Sequence, residues 1–488
     1  MAKVLNEGTP THRIPPEILT RILYLAVDRG FEGHAEPIIP LTHVCRYWRT
    51  LLLSYPRMWS TLYMKPGNPR ITSEWLARSQ NVPLTVITVF NDAYDHLPCR
   101  YQDSATATLA DANDHRVCPR HKAVLSLDQL LPHRSRIRDL DVLLHSSDPE
   151  WDDDDHRDDG EPMLLNHRFF RETLPNLQRL DFRAIHVEQD RYMIPIPDSL
   201  FAGELPCLKE LKYLGVTGGL MGTVKNLASC EIGYWSGSAG PSIVSPEELQ
   251  RLFNNNKTVK SLTLNDCEFF PRDHQAVAAV PMKDLKFLKI YRPFPGDLEP
   301  LLKLIPLPQF KSLHTVKLSL HSHTIQVAAT DGSGHTFEFS SSSRDDSGFY
   351  PLRHLGAEIT TLRLDRRMTI EEFDGRPALC EFFQSLDAVQ VLEFDGAAAS
   401  VKNVLSGILS RAEVFPGLKV VRVAIVREDC EGALQLLATA LRLRMEEGNP
   451  LTTVEPLLVE GEHGLGQETR ADWEKHYEAK GIQNLLSG

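Results

Sequence analysis

Between residues 13 and 62, apolar positions recur in two stretches at the three- and four-residue spacing of an amphipathic helix. The members of the first stretch are Ile18, Leu19, Ile22, Leu23 and Ala26. The members of the second are Leu41, Val44, Cys45, Trp48, Leu51 and Leu52. Pro15 and Pro16 stand just before the first stretch, where the fixed φ of proline suits an opening helical turn, and Glu17 complements the helix dipole. The pattern predicts two short helices that carry more apolar surface than so small a segment can bury.

After residue 130 the pattern changes to a short phrase of the form apolar-x-x-apolar-x-apolar, which predicts a strand with one apolar face. The copies are Ile137/Leu140/Val142, Leu177/Leu180/Phe182, Leu208/Leu211/Tyr213, Val259/Leu262/Leu264, Leu285/Leu288/Ile290, Leu313/Val316/Leu318, Ile359/Leu362/Leu364, Val389/Leu392/Phe394 and Leu418/Val421/Val423, with a weaker one at Val224/Leu227. Because no single strand buries such a face alone, the copies must stack. Helical segments between copies, such as 245–253, complete the prediction of an α/β fold.

The first segment resembles the F-box, whose family form is a Pro-x-Glu-Ile/Leu-Leu start, a Val-Cys-Arg-x-Trp-Arg helix and a closing Leu/Met-Trp. These motifs are matched by residues 15–19, by residues 44–49 and by Met58 with Trp59. The family often has Leu before the first proline, where this chain has Ile14. An ordinary helical hairpin packed on its own domain is the other interpretation of the same pattern.

In the F-box family, this module docks on a Skp-type adaptor, and through it on a cullin scaffold and a ubiquitin-conjugating enzyme. The resemblance implies that adaptor-binding residues lie at the motif positions of both helices. They are Pro15, Pro16, Ile18, Leu19, Ile22, Leu23, Val44, Cys45 and Trp48. Some of these must instead pack the two helices on each other.

The chain as a whole resembles the F-box and leucine-rich-repeat proteins of fungi. The further support is WLARSQNVPL at 75–84, LLPHRSRIRDL at 130–140 and a final helical cap at 434–451. The implied architecture is an N-terminal helical F-box followed by an irregular leucine-rich-repeat solenoid with rim insertions. Its predicted boundaries are 10–62 for the F-box, 63–130 for a linker, 131–460 for the solenoid and 461–488 for a tail.

Side chains alternate across a strand, so residues between the apolar positions of each phrase face away from the core. In the implied solenoid these residues lie on the concave face, which we expect to bind a protein target. The predicted target-binding residues are Asp181, Lys289, Lys317, Arg363 and Glu393.

Composition narrows the function further. The chain has 488 residues and a net charge of -12, which argues against a nucleic-acid partner. We expect no membrane span and no export signal, because no apolar run is long enough and the first residues lack an apolar core. The 8 cysteines form no CxxC pair, which is typical of reduced thiols in the cytoplasm or nucleus.

Three further segments contain polar or metal-binding residue types, but none of them forms a recognisable metal or catalytic motif. The spacing of His96, Cys99, His115, Cys118 and His121 permits a zinc knuckle, but it matches no known finger, and we expect a polar loop and no metal. The acidic run 148–161 predicts a solvated loop. Residues 324–339 predict a hairpin on the solenoid rim.

The turn of that hairpin contains Asp331, Ser333 and His335, which are more typical of a turn than of a catalytic triad because they come from one local segment. No nucleotide-binding or nucleophile motif is present, so we expect a protein without a catalytic site or cofactor. The sequence therefore predicts the substrate-recognition subunit of a Skp-cullin-F-box ubiquitin ligase. The alternative is an F-box-bearing scaffold or regulatory interaction protein that does not join a ligase.

Overall fold

A computed structural model provides the fold of much of the chain. It describes residues 13–28, 38–64, 69–91, 119–146, 165, 167–186, 194–233, 242–243, 246–265, 267–268, 278–291, 304–305, 315–321, 324–331, 333, 335–342, 359–365, 383, 386–395, 415–424, 438–439, 441–446, 451 and 453–457. The chain divides into two compact units, Met1–Ser242 and Ile243–Gly488. Each unit combines helical segments with a large, mainly parallel sheet, so the predicted α/β class is confirmed.

The principal helices precede or connect the strands. They are α1 Pro16–Asp28, α2 Ile38–Thr42, α3 Arg46–Leu53, α4 Pro69–Ser79, α5 Pro119–Leu130, α6 Arg168–Arg171 and α7 Pro246–Asn255. Short 3-10 segments occur at Pro56–Trp59, Leu131–Arg136, Leu200–Gly203 and Gly219–Gly222. The predicted final cap at 434–451 contains helical residues at 438–439 and 441–446.

In the first unit the strands are β1 Thr61–Met64, β2 Leu84–Asn91, β3 Ile137–Ser146, β4 Arg179–His186, β5 Ile194–Ile196, β6 Glu210–Leu214, β7 Val216–Gly218 and β8 Ser229–Gly233. A two-residue strand, β9 Ser242–Ile243, spans the unit boundary. In the second unit the strands are β10 Ser261–Asn265, β11 Cys267–Glu268, β12 Phe287–Tyr291, β13 Thr315–His321, β14 Thr324–Thr330, β15 Thr336–Ser342, β16 Thr361–Asp365, β17 Val391–Asp395, β18 Val420–Ala424 and β19 Thr453–Leu457. The last two apolar residues of every full repeat phrase lie in one of these strands.

The sheet of the first unit is parallel throughout, in the order β1-β2-β3-β4-β6-β8. Its core face is made by the apolar residues of the repeat phrases. Leu140, Val142, Leu180, Phe182 and Tyr213 are each at most 1% exposed. The residues between them are only half-buried, so the alternation in the sequence becomes a core face and a polar face.

Gly215 follows β6 with a φ of +71°, a conformation that costs glycine little and other residues more. A Cβ at this position would lie 2.5 Å from the carbonyl oxygen of Ala184 on the neighbouring strand. The close approach of the two backbones at the end of the strand therefore requires glycine.

The sheet of the second unit has the order β10-β12-β15-β14-β13-β16-β17-β18-β19. β14 is antiparallel to both of its neighbours, and the other strands of this sheet pair in parallel. The hairpin predicted at 324–339 is present, but its location on a rim is wrong. It lies within the sheet and separates β12 from β13, because Ala329 and Phe337 supply buried positions of their own.

One further sequence expectation concerns membranes. Among the residues that the structure describes, no helix combines the length and apolar content needed to cross a bilayer.

Candidate interaction surfaces

Helix α1 has two apolar faces with different environments. Leu19 and Leu23 are 2% and 3% exposed and pack into the protein. Ile18, Ile22 and Leu25 are 51%, 48% and 43% exposed. Residues 18, 22 and 25 follow the i, i+4, i+7 spacing that places side chains on one side of a helix. One face of α1 therefore folds the segment, and the other presents large aliphatic side chains to solvent.

The start of α1 is built as the sequence predicts. The carbonyl of Pro15 accepts hydrogen bonds from the backbone N–H groups of Ile18 and Leu19, each at 3.0 Å. Pro16 is the first helical residue, and Glu17 lies in the first turn. Both prolines are exposed, so they fix the helix start and remain accessible beside Ile18.

Helix α3 contributes a second exposed set. Its N-cap is Cys45, whose Sγ accepts a hydrogen bond from the backbone N–H of Trp48 at 3.4 Å. Val44, just before the cap, is 58% exposed, and Leu53, the last helical residue, is 39% exposed. Trp48 itself is half-buried. We call Ile18, Ile22, Leu25, Val44 and Leu53 together the N-terminal apolar surface.

Among the residues that the structure describes, exposed large apolar side chains are concentrated in this segment. Seven large hydrophobic residues are exposed among the described residues, and six of them lie between residues 18 and 53; Tyr24 is the sixth, and the seventh is Leu443. Single exposed leucines are normal on protein surfaces, but a local concentration of them is typical of a binding surface. This is the strongest structural indication of an interaction site in the described chain.

The segment is anchored through Trp59. Its side chain is 2% exposed, and its Nε1–H donates a hydrogen bond to the carbonyl of Leu52 at 2.9 Å. The ring packs edge-on against Trp75 with centroids 5.3 Å apart, and the guanidinium of Arg78 lies 4.4 Å from its centroid. These contacts join the end of the helical segment to α4.

The predicted adaptor-binding residues thus fall into three classes. Pro15, Pro16, Ile18, Ile22 and Val44 are exposed, whereas Cys45 and Trp48 are half-buried. Leu19 and Leu23 belong to the core of the segment, so a partner that leaves this fold intact cannot reach them. Sequence reasoning omitted Leu25 and Leu53, although the i+3 spacing of Leu25 from Ile22 was a usable signal.

The second candidate surface is the polar face of the sheet. In the first unit, the parallel register aligns Asp141, Asp181, Lys212 and Glu231 on four successive strands of the sheet order. Lys212 Nζ lies 3.1 Å from Glu231 Oε2. The predicted residue Asp181 therefore belongs to a row of half-buried charges rather than standing alone.

Arg183 balances the two aspartates of this row. Its Nη2 donates a hydrogen bond to Asp141 Oδ2 at 2.6 Å, and its Nε lies 2.9 Å from Asp181 Oδ1. Burial is the main cause that raises the pKa of Asp181 to about 6, and the negative charge of Asp141 adds to it. The positive charges of Arg183, Lys212 and Arg179 oppose the shift. Two carboxylates thus compete for one close guanidinium.

In the second unit the register brings Lys317, Arg363 and Glu393 together on three adjacent strands. Arg422 follows on the next strand, and its Nη1 donates a hydrogen bond to Glu393 Oε1 at 2.8 Å. Stacking of successive repeat copies would place Lys289 on β12 beside Lys317 on β13. In the structure these two strands are not neighbours.

The hairpin explains this difference in neighbours. It places Glu338 directly opposite Lys289, and Lys289 Nζ lies 3.0 Å from Glu338 Oε2. Asp181, Lys289 and Glu393 each form an ion pair with another side chain of the chain, and Arg363 also has a partner within the protein, whereas the Lys317 side chain is outside the described set. The polar face is largely paired internally.

The remaining candidate chemistry gives no further site within the described part of the chain. The carboxylate of Asp331 accepts hydrogen bonds from the backbone N–H groups of Ser333 and His335, both at 2.8 Å, as in a turn. No group of three or more His, Cys, Asp or Glu residues suited to a metal occurs among the described residues. His96, Cys99, His115, Cys118, the His121 side chain and the acidic run 148–161 lie outside the described set.

Comparison with known proteins adds no family. No family model matches the chain, and no curated protein is significantly similar to it.

Proposed function

We propose that this chain is the substrate-recognition subunit of a Skp-cullin-F-box ubiquitin ligase. In this proposal residues 10–62 form an F-box that docks on a Skp-type adaptor. The repeat strands within 131–460 form an irregular leucine-rich-repeat solenoid that captures a protein target. The role is non-catalytic, in the cytoplasm or nucleus, without a cofactor.

The observation that carries the proposal is the N-terminal apolar surface. It coincides with the segment whose motifs resemble the F-box, and it combines an anchored core with exposed aliphatic side chains. An ordinary helical hairpin packed on its own domain typically carries polar residues on its outward face, whereas that face of α1 carries Ile18, Ile22 and Leu25. The exposed face fits a segment that completes its packing on another protein.

The repeat phrases support the second half of the proposal. Every full phrase contributes to a strand, and where two of these strands are neighbours in a sheet they pair in parallel. The polar face then offers an ordered array of charges. Most of these charges already have partners within the chain. A target that matches them would therefore gain mainly specificity and little affinity.

The mechanism is one of proximity. The adaptor-bound chain holds its target beside a conjugating enzyme, so that a target lysine meets the ubiquitin thioester at high effective concentration. No side chain of this chain takes part in the transfer.

Adaptor binding tests the first step. The full chain is titrated with a purified Skp-type adaptor by calorimetry, and the variant Ile18→Asp/Ile22→Asp is compared with wild type. Two carboxylates placed in a desolvated contact should weaken binding at least about 100-fold. Leu19 is left unchanged because a charge at this buried position would unfold the segment.

Leu443→Asp is the matched control, since Leu443 is also an exposed leucine but lies in the second unit. It should bind the adaptor as wild type does. Binding that survives in the folded double variant would refute this docking surface. Two further measurements test the alternative hypothesis: recruitment of a cullin, and ubiquitin transfer to a protein cross-linked to this chain. If the chain binds the adaptor but does neither, it is a scaffold and not a ligase subunit.

A further inference from the structure

The exposed face of α1 carries a cation as well as aliphatic side chains. Arg21 lies three residues after Ile18 and four before Leu25, so helical geometry places it beside both. It is exposed, and within the described part of the chain its side chain has no ion pair or hydrogen bond. Its charge is therefore available to a partner that covers Ile18 and Leu25.

Helix α3 repeats this arrangement. Arg46 and Arg49 share the exposed side of the helix with Leu53, at spacings of seven and four residues. Arg49 has an internal role, because its Nε donates to the carbonyl of Thr42 at 2.9 Å and its Nη2 lies 3.2 Å from His43 Nδ1. Arg46 has no such contact among the described residues.

The position of Arg46 is locally unfavourable. It is the first residue of α3, where the helix dipole disfavours a positive charge, and the first turn contains no acidic residue. A local preference that is violated without internal compensation is typical of a functional position. Arg46 is thus better explained by an outside carboxylate than by the stability of α3.

The charge balance of the segment points the same way. Residues 13–59 contain six arginines and four carboxylates, a net charge of +2, in a chain whose net charge is -12. Most of this excess lies on α3, which carries Arg46 and Arg49 and no acidic residue, whereas α1 carries Arg21 together with Glu17 and Asp28. Arg21 and Arg46 each lie beside exposed aliphatic residues. A partner that fits them has an apolar centre flanked by acidic side chains.

We propose that the N-terminal apolar surface binds an acidic protein surface, with carboxylates of the partner facing Arg21 and Arg46. This inference deepens the proposed function and rests on it for the identity of the partner, the Skp-type adaptor. An anionic membrane is the less suitable occupant, because its headgroups are negative throughout and would repel Glu17, which lies four residues before Arg21. A protein can instead place carboxylates opposite the two arginines and a neutral or basic side chain opposite Glu17.

The first experiment measures association of the full chain with a purified Skp-type adaptor at 50 mM and 300 mM salt. Electrostatic attraction predicts a faster association rate at low salt. Arg21→Glu/Arg46→Glu should reduce the affinity at least about 10-fold and remove most of the salt dependence. Arg442→Glu, an exposed arginine beside exposed Leu443, is the matched control and should behave as wild type.

The second experiment does not depend on the adaptor. Two synthetic amphipathic helices share one apolar face and carry either glutamates or lysines along its borders. The chain should prefer the acidic helix at least about 10-fold, and Arg21→Glu/Arg46→Glu should abolish or reverse that preference.

The outcomes separate the two proposals. If adaptor binding does not depend on salt concentration or on either arginine, the acidic-partner inference is wrong and the proposed ligase function is unaffected. A preference for the acidic helix without adaptor binding would do the reverse. Equal binding of the two helices, or arginine-dependent binding only to phosphatidylserine vesicles, would overturn the inference. Circular dichroism and thermal unfolding establish that each variant is folded.

Discussion

The helical segment at 13–59 and the polar face of the sheet expose opposite kinds of side chain. The segment leaves Ile18, Ile22 and Val44 about half exposed or more, without a described contact that covers their exposed faces. The sheet face exposes charges, but Arg183 faces two aspartates and Lys289 faces Glu338. The first surface leaves aliphatic side chains in contact with solvent, whereas the charges of the second are already largely paired within the chain.

The difference indicates how each surface would contribute to the free energy of binding. Covering an aliphatic side chain removes apolar area from water and contributes about 25 cal/mol per Å². Replacing one ion pair by another changes the free energy little, but a mismatch is costly. Under the proposed function, the helical segment therefore suits docking on the adaptor, and the sheet face suits discrimination among targets.

The anchor of the helical segment gives the largest expected effect. Trp59→Ala removes a buried ring, its hydrogen bond to Leu52 and its contact with Trp75, so the free energy of unfolding should fall by about 3–5 kcal/mol. Chemical denaturation measures it. Tyr24→Ala, at an exposed position of α1, should cost far less. Equal losses would mean that the exposed and anchored sides of the segment do not differ.

The pH dependence of stability tests the crowding of charges on the sheet. The folded pKa of Asp181 is about 6, above its ordinary value of 3.8. The stability that its protonation provides is therefore complete below pH 3.8 and is lost as the pH rises through 6, by about 3 kcal/mol in total. Asp181→Asn should remove this part of the slope and raise the melting temperature at pH 7.5.

The control for that measurement is Asp387→Asn, at an exposed turn position of the second unit. Its stability should follow wild type between pH 4.5 and 7.5. If Asp181→Asn lowers the melting temperature at pH 7.5, then Asp181 is a net stabilising partner of Arg183, and the row is better balanced than we infer.

The pairing of Lys289 with Glu338 should contribute little. Both side chains are about one-third exposed, so a double-mutant cycle with alanine at the two positions should give a coupling energy of about 0.2–1 kcal/mol. The coupling should shrink at 1 M salt. A larger, salt-independent value would show that this part of the sheet face is a buried network rather than an adaptable surface.

The exposed apolar residues should have the smallest effect on folding. Ile22→Ser should change the free energy of unfolding by no more than about 0.5 kcal/mol, because its side chain is 48% exposed. The same variant should weaken adaptor binding measurably. A loss of stability comparable to that of a core residue would mean that Ile22 is covered by the chain itself.

Much of the fold follows from local pattern. The repeat phrases predicted where strands occur, since period-two alternation with one buried face leaves few other conformations. The Pro-Pro start and the spacing of apolar residues likewise predicted α1. The second apolar stretch, predicted as one helix, is divided between α2 and α3, with Val44 and Cys45 between them. The strands β1, β5, β7, β9, β11 and β19 were missed, and the weak copy at Val224/Leu227 lies before β8, whose buried residues are Cys230 and Ile232. β19 contains Pro456, which weakens a strand signal because proline cannot donate to the ladder.

Other features required the tertiary structure. In α1, Leu19 and Leu23 have the same helical spacing as Ile18 and Ile22, so periodicity alone cannot say which pair is buried; packing on the rest of the segment decides it. The neighbour of Lys289 depended on a hairpin that enters the sheet between two repeat strands. Spacing along the chain determines which side chains share a face, but contacts between distant segments determine what that face meets.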